Sequence, residues 1–494
     1  MFLVAVRERR PGRFARRKAP AVKIFKVLLG LPCLAGSMND LSPMPQQSEI
    51  RLSELLGALS HALDMAEGQP AGHCVRCCWI GIHIGREIGL SDAELSELYY
   101  TLLVKDVGCS SNAARICQIY MMDDITFKRD LMTVNGSLTQ VLRFVLSHTG
   151  MNAGLAERFR ALVHVFQNGR QIAQELMETR CDRGAEIARK MHFSENVIAA
   201  IRSFDEHWDG GGMPVGLKGE EIPIFSRISL IAQIADVFRT GTGIDAAKQE
   251  IRKRCGTWFE PRMVEAFERV AVNDHFWSVL ASDGLRAELF KLEPAQRQVF
   301  VDEDYLDDIA AAFAQVVDSK SPFTSGHSER VTLFADLIAE QMGFSLQRRR
   351  WLKRAALLHD IGKLGVSNSI LDKPDKLDAG EWVAMQRHAT FGQAILSQIG
   401  AFADLAAIAG CHHERLDGKG YPRGLRDGEI SLDIRIVTTA DIFDALTADR
   451  PYRKAMPVDK ALGIMDSMIG SAIDVNCLDA LKLALSRVDP AIAA

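Results

Sequence analysis

The chain has 494 residues, of which 47% are apolar and 25% are charged, and its formal net charge is −4. These values are ordinary for a globular protein and leave room for two or three domains. The small net charge excludes recognition of nucleic acid or of a membrane surface through overall charge. Because no run of about 20 apolar residues occurs, no integral membrane span is predicted.

Ten cysteines are scattered along the chain without the pattern of a disulfide framework. Cys74 and Cys77 have the CxxC spacing of a structural zinc site, but no second pair accompanies them. In a helical context we interpret both as core thiols. The cysteine usage predicts a reducing, cytoplasmic setting.

Residues 1–48 have no clear period and form a basic extension. The first 23 residues contain six arginines and two lysines, and the apolar segment from Val27 to Ala35 follows. This order resembles a weak signal peptide. We favour a disordered or mis-assigned start, with Met38 or Met44 as the initiator, because the remaining chemistry is of an intracellular kind. Whether the mature protein contains residues 1–37 stays open.

From Glu49 onward the pattern is helical. Leucines recur mostly at steps of three and four residues, at Leu52, Leu55, Leu56, Leu59 and Leu63. The same pattern continues through residues 75–88 and 91–103, and strand signals are sparse throughout the chain. The sequence therefore predicts an all-α fold.

The two halves of the chain repeat one helical module. The matching blocks are Gly72-His73 with Gly326-His327, Leu103 to Gly108 with Leu357 to Gly362, Trp208 to Pro214 with Leu416 to Pro422, and Arg227-Ile228 with Arg435-Ile436. The offset is 254 residues for the first two blocks and 208 for the last two. The first half therefore carries about 46 extra residues between Asp106 and Asp209. A weaker match, from Gly256 to Gly470, lies at an offset of 214.

This repeat predicts two tandem helical bundles. We assign residues 49–290 to the first module, residues 291–301 to a linker, and residues 302–494 to the second module. Three consecutive acidic residues from Asp302 would give the second module a negatively charged first turn, which is favourable at a helix N-terminus.

Histidines and carboxylates are concentrated in the second module. Five histidines occur there: His327, His359, His388, His412 and His413. A lone buried histidine is usually a core residue, but five histidines with aspartates beside them favour a metal site. Lys363 follows Asp360 by three residues, so on a helix the two side chains would share a face. Since lysine suits phosphate, the pattern indicates metal and phosphate chemistry together.

The order of these residues resembles the HD-GYP family, a branch of the HD-domain metal-dependent phosphohydrolases. The resemblance covers roughly residues 302–494 and rests on His359-Asp360 with Gly362-Lys363, then His388, the segment from His412 to Pro422, and Asp441. It implies an HD-domain bundle with the extended HD-GYP motif. It also implies a bacterial signalling phosphodiesterase that hydrolyses cyclic di-GMP to pGpG and, on further hydrolysis, to GMP.

The resemblance also implies roles for individual residues. The implied metal ligands are His327, His359, Asp360, His388, His412, His413 and Asp441. Asp360 and Lys363 are the implied catalytic residues. The implied substrate contacts are Lys363, Tyr421, Arg450 and Arg453, the last at a position where lysine is also common. The loop Gly420-Tyr421-Pro422 is expected to serve the substrate and protein partners such as diguanylate cyclases.

The implied cofactor is a pair of divalent metal ions. Asp360 would bridge them, and a bridging water of lowered pKa would supply the hydroxide that attacks phosphorus. Histidine-rich ligands favour iron over magnesium, with manganese as the alternative. Some family members hold a third metal through a glutamate, and Phe323 stands at that position here. We therefore predict two metals. Ser321 stands where the family often has aspartate.

The first module departs from this ligand pattern. Under the two offsets, Lys105, Arg180, Phe204 and Asp205 take the places of the histidines at 359, 388, 412 and 413, and Cys109 takes the place of Lys363. The counterpart of Asp441 is Gln233, or Asp236 if three residues are inserted. We prefer Asp236 because the segment from Ala235 to Phe238 then matches the segment from Ala440 to Phe443.

Only His73, Asp106 and Asp236 would remain as ligands in the first module, too few for a binuclear centre. This module therefore resembles a degenerate HD-GYP-like domain with a structural, sensory or dimerising role, so a homodimer is one expectation. Whether Lys105 and Arg180 bind a nucleotide phosphate stays open. For the whole chain, the alternatives are a phosphohydrolase for another cyclic dinucleotide or nucleotide, and a catalytically idle regulator that binds nucleotide or partner proteins.

Overall fold

The structure is a computed structural model, and it describes residues 50–134, 137–151, 153–294, 297–451 and 453–488. The basic extension predicted from the sequence lies outside these residues. The prediction of an all-α fold is confirmed, because the described strands are one short antiparallel pair, β1 (Ile50–Arg51) and β2 (Phe300–Val301). No helix among the described residues is long and apolar enough to cross a membrane.

The first module is a bundle of helices with several short ones. Its helices are α1 (Leu52–Ala66), α2 (His73–Glu87), α3 (Asp92–Val104), α4 (Ala113–Tyr120), α5 (Asp124–Leu131), α6 (Leu138–His148), α7 (Leu155–Lys190), α8 (Glu195–Arg202), α9 (Ile224–Thr242), α10 (Ile244–Lys253), α11 (Pro261–Ala271), α12 (Asp274–Leu280) and α13 (Leu285–Leu292). Short 3₁₀ turns lie at Cys109–Asn112 and Gly219–Glu221.

The second module follows the same order with fewer helices. They are α14 (Glu303–Asp318), α15 (His327–Gln341), α16 (Leu346–Leu358), α17 (Asn368–Leu371), α18 (Ala379–Leu396), α19 (Ala403–Cys411), α20 (Leu432–Thr447), α21 (Val458–Asp466) and α22 (Val475–Val488). The 3₁₀ turns here are Ile361–Gly365, Gly400–Phe402 and Asp427–Glu429.

Capping residues mark several of these helix starts. Asp302 accepts a hydrogen bond from the amide of Tyr305, so the acidic turn predicted at the start of the second module caps α14. Asp378 and Glu381 form a reciprocal capping box at the start of α18. α18 is thereby fixed at the end that leads toward the histidine-rich site.

The structure locates the extra residues of the first module. A Cβ atom on Gly108 would lie 2.1 Å from the carbonyl oxygen of Arg180, and one on Gly362 would lie 2.0 Å from that of His388. Each glycine is therefore needed for the same close approach of a long helix, and the four residues are equivalent. The extra residues thus lie between Gly108 and Arg180, a narrower interval than the sequence blocks gave.

These extra residues form α4, α5, α6 and the first half of α7. They enclose a small separate core that includes Ile116, Phe127, Phe144, Val165 and Ile172. The outer side of the insertion exposes several large apolar side chains: Leu138, Val141, Leu142, Leu146, Met151, Leu155, Phe159 and Phe166.

The two modules pack against each other with a continuous apolar core. α1 of the first module lies against the 3₁₀ turn Ile361–Gly365 of the second. A buried polar contact adds to this interface, since Asp124 accepts hydrogen bonds from the amide of Asn368 at 2.8 Å and from the Ser367 hydroxyl at 3.0 Å. Burial alone would raise the pKa of Asp124, but the ammonium groups of Lys320 and Lys128 lower it to about 2.

Part of the segment predicted as a linker packs against the first module. Glu293 is buried and accepts hydrogen bonds from the hydroxyls of Ser53, at 2.7 Å, and Tyr100, at 2.5 Å. β2 pairs with β1, which joins the end of this segment to the first described residues of the chain. These contacts restrict the orientation of the second module at its start.

Candidate metal centre

The structure brings all seven predicted metal ligands together in one buried pocket. His327 begins α15, His359 and Asp360 follow the end of α16, and His388 lies within α18. The remaining ligands are His412 and His413, directly after α19, and Asp441 within α20. Helix ends and one face of α18 and α20 therefore supply a set of side chains that lie far apart in sequence.

Asp360 lies between two groups of histidines. Its Oδ2 atom is 3.3 Å from Nε2 of His327 and 3.2 Å from Nε2 of His359. Its Oδ1 atom is 3.6 Å from Nε2 of His388 and 3.7 Å from Nε2 of His412. Each carboxylate oxygen thus faces a different pair of imidazoles, which is the arrangement that a carboxylate bridging two cations requires.

The other ring nitrogen of these histidines is held by an acceptor. Nδ1 of His327 lies 2.7 Å from Oδ2 of Asp444. Nδ1 of His359, His388 and His412 lies 2.6, 2.7 and 3.0 Å from a backbone carbonyl oxygen of the preceding turn. Because these oxygens only accept hydrogen bonds, each Nδ1 carries a proton, and Nε2 is the ring nitrogen that faces the pocket.

The pKa values in the pocket reflect burial opposed by charge. Burial lowers the pKa of His388 to about 4 and that of His412 to about 3, so both imidazoles are neutral near pH 7. Burial also acts on His327, but the carboxylates of Asp360 and Asp444 outweigh it and raise its pKa to about 9. A cation that binds His327 must therefore displace a proton.

The donor set fits two divalent metal ions. Ligand atoms of Asp360, His388, His412 and His413 lie within 4.8 Å of one another, and so do those of His327, His359 and Asp441. Among the described residues, Nε2 of His327 and of His359 and Oδ1 of Asp360 have no hydrogen-bond partner although they are buried. Leaving such atoms without a partner is costly, and a metal ion would satisfy them.

Lys363 lies at the edge of this pocket. It belongs to the 3₁₀ turn Ile361–Gly365, which directly follows Asp360. Its ammonium group forms an ion pair with Oδ2 of Asp360. Burial would raise the pKa of Asp360, but His359 and Lys363 hold it well below its usual value. The lysine therefore supplies positive charge beside the carboxylate that bridges the two histidine groups.

The residues predicted to contact the substrate differ in their surroundings. The ring of Tyr421 lies 4.8 Å from that of His413 and 6.3 Å from that of His388, so it borders the pocket. Arg453 donates to the carbonyl oxygens of Ala445, Leu446 and Lys454, which caps the end of α20. Much of its donor capacity is thus used by the backbone. The side chain of Arg450 is half-buried nearby, with its amide bonded to the Arg453 carbonyl.

The loop Gly420-Tyr421-Pro422 is shaped by a glutamate that the sequence reasoning did not assign. The carboxylate of Glu414 is buried and accepts hydrogen bonds from the amides of Arg423, at 2.6 Å, and Leu425, at 2.9 Å. Glu206 does the same for the amides of 215–217 in the first module. This equivalence, at the offset of 208, was a signal available in the sequence.

A second residue to which the sequence pattern assigned no role is Asp444. It orients His327 and also forms an ion pair with the guanidinium of Arg330, at 3.0 Å from Nη2. In the first module Asp236 makes the equivalent contacts, with His73 at 2.8 Å and Arg76 at 2.8 Å. Asp236 is therefore the counterpart of Asp444, and the prediction that it replaces Asp441 is wrong.

The counterpart of Asp441 is Gln233, with no insertion. Its Oε1 atom accepts a hydrogen bond from the ammonium group of Lys105 at 2.7 Å. The same ammonium group forms an ion pair with Asp106 and lies 3.3 Å from Nε2 of His73. The ammonium group of Lys105 thus lies at the centre of the equivalent pocket in the first module. In the second module, the predicted metal ligands point to the corresponding position.

The remaining ligand positions of the first module also hold a cation and its partners. Arg180 lies 3.3 Å from the carboxylate of Asp106 and 2.7 Å from that of Asp205. The guanidinium of Arg180 and the ammonium of Lys105 both lie over the ring of Phe204. The buried carboxylates here are neutralised by side chains, so this pocket does not present the donor set of the second module.

Comparison with known proteins agrees with two modules of one kind. A family model described as an HD domain matches residues 143–261 and 311–477, with one match in each module. The chain is 54% identical over 440 residues to 3'3'-cGAMP-specific phosphodiesterase 3 of Vibrio cholerae, covering 89% of this chain and 96% of that protein.

Solved and more distant relatives extend this likeness. The crystal structure of a cyclic GMP-AMP-specific phosphodiesterase of V. cholerae, V-cGAP3, has 49% sequence identity and a TM-score of 0.62, covering 89% of this chain and 98% of that one. The cyclic di-GMP phosphodiesterase response regulator RpfG of Xanthomonas campestris is 35% identical over 240 residues, covering 47% of this chain and 58% of that protein. The chain therefore belongs to the HD-domain family of metal-dependent phosphohydrolases, with the HD-GYP motif in its second module.

Proposed function

We propose that the chain is a phosphodiesterase that hydrolyses cyclic dinucleotides at the centre in its second module. The observation that carries this proposal is the position of Asp360, whose two oxygens each face a separate pair of imidazoles at 3.2 to 3.7 Å. Such a pocket can hold two cations side by side, which is the arrangement suited to displacement at phosphorus.

The cofactor that we propose is a pair of divalent ions, iron or manganese. His327, His359 and Asp441 would hold one ion, His388, His412 and His413 would hold the other, and Asp360 would be shared. When bound, such ions polarise phosphate oxygens and lower the pKa of coordinated water toward neutrality. The proportion of imidazole among the ligands favours a transition metal over magnesium.

The protein's own groups complete the site. Lys363 would shift its ammonium group from Asp360 to a phosphate oxygen of the substrate, where it neutralises charge that develops during displacement. Tyr421 borders the same pocket and would orient the nucleotide. Arg450 and Arg453 stay as proposed contacts to the second phosphate, with fewer free donors at Arg453.

We propose 3'3'-cGAMP as the preferred substrate. The sequence pattern alone led to cyclic di-GMP, because that is the substrate typical of the family. The relative that shares 54% identity along nearly its whole length is named for 3'3'-cGAMP. Relatives named for cyclic di-GMP, such as RpfG, match less than half of this chain. Cyclic di-GMP is therefore the second candidate.

The test is turnover by the purified chain after loading with Fe²⁺ under anaerobic conditions or with Mn²⁺. Equal concentrations of 3'3'-cGAMP, cyclic di-GMP and cyclic di-AMP would be supplied, and linear products separated by chromatography. We expect hydrolysis of 3'3'-cGAMP to be fastest, and we expect His359→Ala and Asp360→Ala to abolish it with loss of bound metal.

The matched control is His275→Ala, which removes an exposed histidine of the first module and should leave the rate unchanged. A metal-replete protein that cleaves none of the three cyclic dinucleotides would refute the proposal. Equal rates on cyclic di-GMP and 3'3'-cGAMP would retain the reaction but remove the proposed preference.

A further inference from the structure

The wall of the metal pocket continues outward through two aromatic rings. Tyr421 lies against the rings of His413 and His388, and the ring of Trp382 lies 5.9 Å from that of Tyr421 at an interplanar angle of 78°. Trp382 is therefore one ring further out than a residue that borders the metal ligands.

Trp382 differs from the other tryptophans of the chain in how open its ring is. It is 47% exposed, whereas Trp79, Trp277 and Trp351 are each 7% exposed or less. The half-buried tryptophans 208 and 258 have the guanidinium groups of arginines over their rings. An exposed indole costs free energy in the free protein, since its apolar area stays in contact with water.

The backbone that carries Trp382 is held in place. The capping box of Asp378 and Glu381 fixes the first turn of α18, and Lys373 lies 2.6 Å from the carboxylate of Glu381. Further along the same helix, Nδ1 of the metal ligand His388 is bonded to the carbonyl of Met385. The backbone that carries the indole is thus held in a fixed position relative to the ligands, which contributes to the preorganisation that a binding platform needs.

We propose that Trp382 is the stacking platform for one purine base of the substrate, an inference that rests on the proposed function. A phosphate bound beside Lys363 and the metal ligands places the attached nucleoside along the wall formed by Tyr421. The next flat surface in that direction is the indole of Trp382. Purine bases stack on aromatic side chains through their π-faces, and the contact covers apolar area of both partners.

This role gives affinity for a base without choosing between guanine and adenine. Stacking of this kind is tolerant of base identity, because every base has a π-face. Trp382 would therefore serve 3'3'-cGAMP and cyclic di-GMP alike. The choice between them would have to come from groups that bond to the edges of the bases.

The test compares Trp382→Ala with the unaltered chain on two substrates. We expect KM for 3'3'-cGAMP to rise about 5- to 150-fold, the range for loss of one stacked base, with kcat changed much less. Hydrolysis of bis(p-nitrophenyl) phosphate, which has no purine, should change less than 2-fold. Trp382→Phe keeps an aromatic face and should recover most of the affinity.

Val383→Ala is the matched control, because Val383 is the next residue of α18 and is 52% exposed. It should leave both substrates unaffected. An unchanged KM for 3'3'-cGAMP in Trp382→Ala would overturn the inference. An equal loss of rate on both substrates would also overturn it, because Trp382 would then act by supporting Tyr421.

These outcomes are separate from a failure of the proposed function. If the unaltered chain cleaves bis(p-nitrophenyl) phosphate but no cyclic dinucleotide, the proposed function is refuted and the stacking role falls with it. If the unaltered chain cleaves 3'3'-cGAMP and Trp382→Ala does so with the same KM, only the stacking role is refuted. Thermal unfolding of each variant, expected to match that of the unaltered chain, verifies that the fold is retained.

Discussion

Replacing Lys105 by methionine removes the cation at the centre of the first module. Lys105 and Asp106 are both almost completely buried, at 2% and 1% exposed. Burial would raise the pKa of Asp106, but Lys105 and Arg180 lower it to about 2. Methionine has a similar length and no charge, so the variant tests the charge with little change in packing.

The expected cost follows from the partners that remain. Removing one member of a buried ion pair typically destabilises a protein by about 3 to 5 kcal/mol, because the other charge is left uncompensated. Arg180 still lies 3.3 Å from Asp106, so we expect about 3 kcal/mol, at the lower end of this range. Oε1 of Gln233 also loses its hydrogen-bond donor, which adds to the cost.

The assay is unfolding in urea with and without the second change Asp106→Asn. If the cost comes from the uncompensated charge, Lys105→Met with Asp106→Asn should be more stable than Lys105→Met alone, since the carboxylate is then neutral. Bound metal, measured by mass spectrometry, should stay at the level of the unaltered chain, because the ligands lie in the second module.

Two results would refute this reasoning. One is a Lys105→Met protein that is less than about 1 kcal/mol below the unaltered chain, since loss of a buried partner should exceed that value. The other is a double variant less stable than Lys105→Met alone. Either would mean that the ammonium group does not compensate the charge of Asp106.

Three further predictions concern the site and the module interface. Asp444→Asn should weaken metal binding about 10- to 100-fold through looser orientation of His327, measured by metal titration. Gly362→Ala should remove metal and activity, because its Cβ would meet a carbonyl oxygen of α18, whereas Gly428→Ala, with open space around it, should not. Asp124→Asn should cost about 2 kcal/mol at pH 7. The pKa of Asp124 is lowered from 3.8 to about 2, so this stabilisation is fully present above pH 4 and is lost as the pH falls through 2. Urea unfolding across that range should show the difference in stability between Asp124→Asn and the unaltered chain disappear.

The metal ligands could be predicted from the sequence because each lies in a block with its own local pattern. The pairs His359-Asp360 and His412-His413 each follow a short apolar segment, and the structure places both just beyond helix ends. Those positions let adjacent side chains reach one pocket. The orienting carboxylate of Asp444 was not assigned, because its role depends on the distance to His327, 117 residues earlier.

The misplaced counterpart of Asp441 has a physical explanation. Two of the carboxylates of α20, those of Asp441 and Asp444, are one helical turn apart and both lie beside His327. The first module retains only the counterpart of Asp444, which is Asp236. The four residues from Ala235 resemble the four from Ala440, and this similarity favoured Asp236 as the counterpart of Asp441. The constant offset of 208 residues pairs Gln233 with Asp441, and that pairing is the correct one.

The contacts between the modules could not be predicted in this way. Asp124 belongs to the insertion, which has no counterpart in the second module, and its partners there are the amide of Asn368, the hydroxyl of Ser367 and the ammonium group of Lys320. No periodicity or motif signals a pairing between a helix start and a distant backbone amide. Such contacts depend on how two surfaces meet, which the pattern within either module leaves open.

The two pockets show a constraint on how this fold can lose its metals. Each module buries an equivalent carboxylate, Asp106 or Asp360, and a buried charge without compensation is strongly destabilising. In the second module the imidazoles around Asp360 direct Nε2 atoms into the pocket, where two of them, those of His327 and His359, have no hydrogen-bond partner and would bind a cation. In the first module an ammonium group comes from Lys105, the residue that replaces the histidine beside that aspartate. Removing the histidines alone would therefore leave a destabilised bundle, and a positive side chain has to arrive together with the loss of the metal.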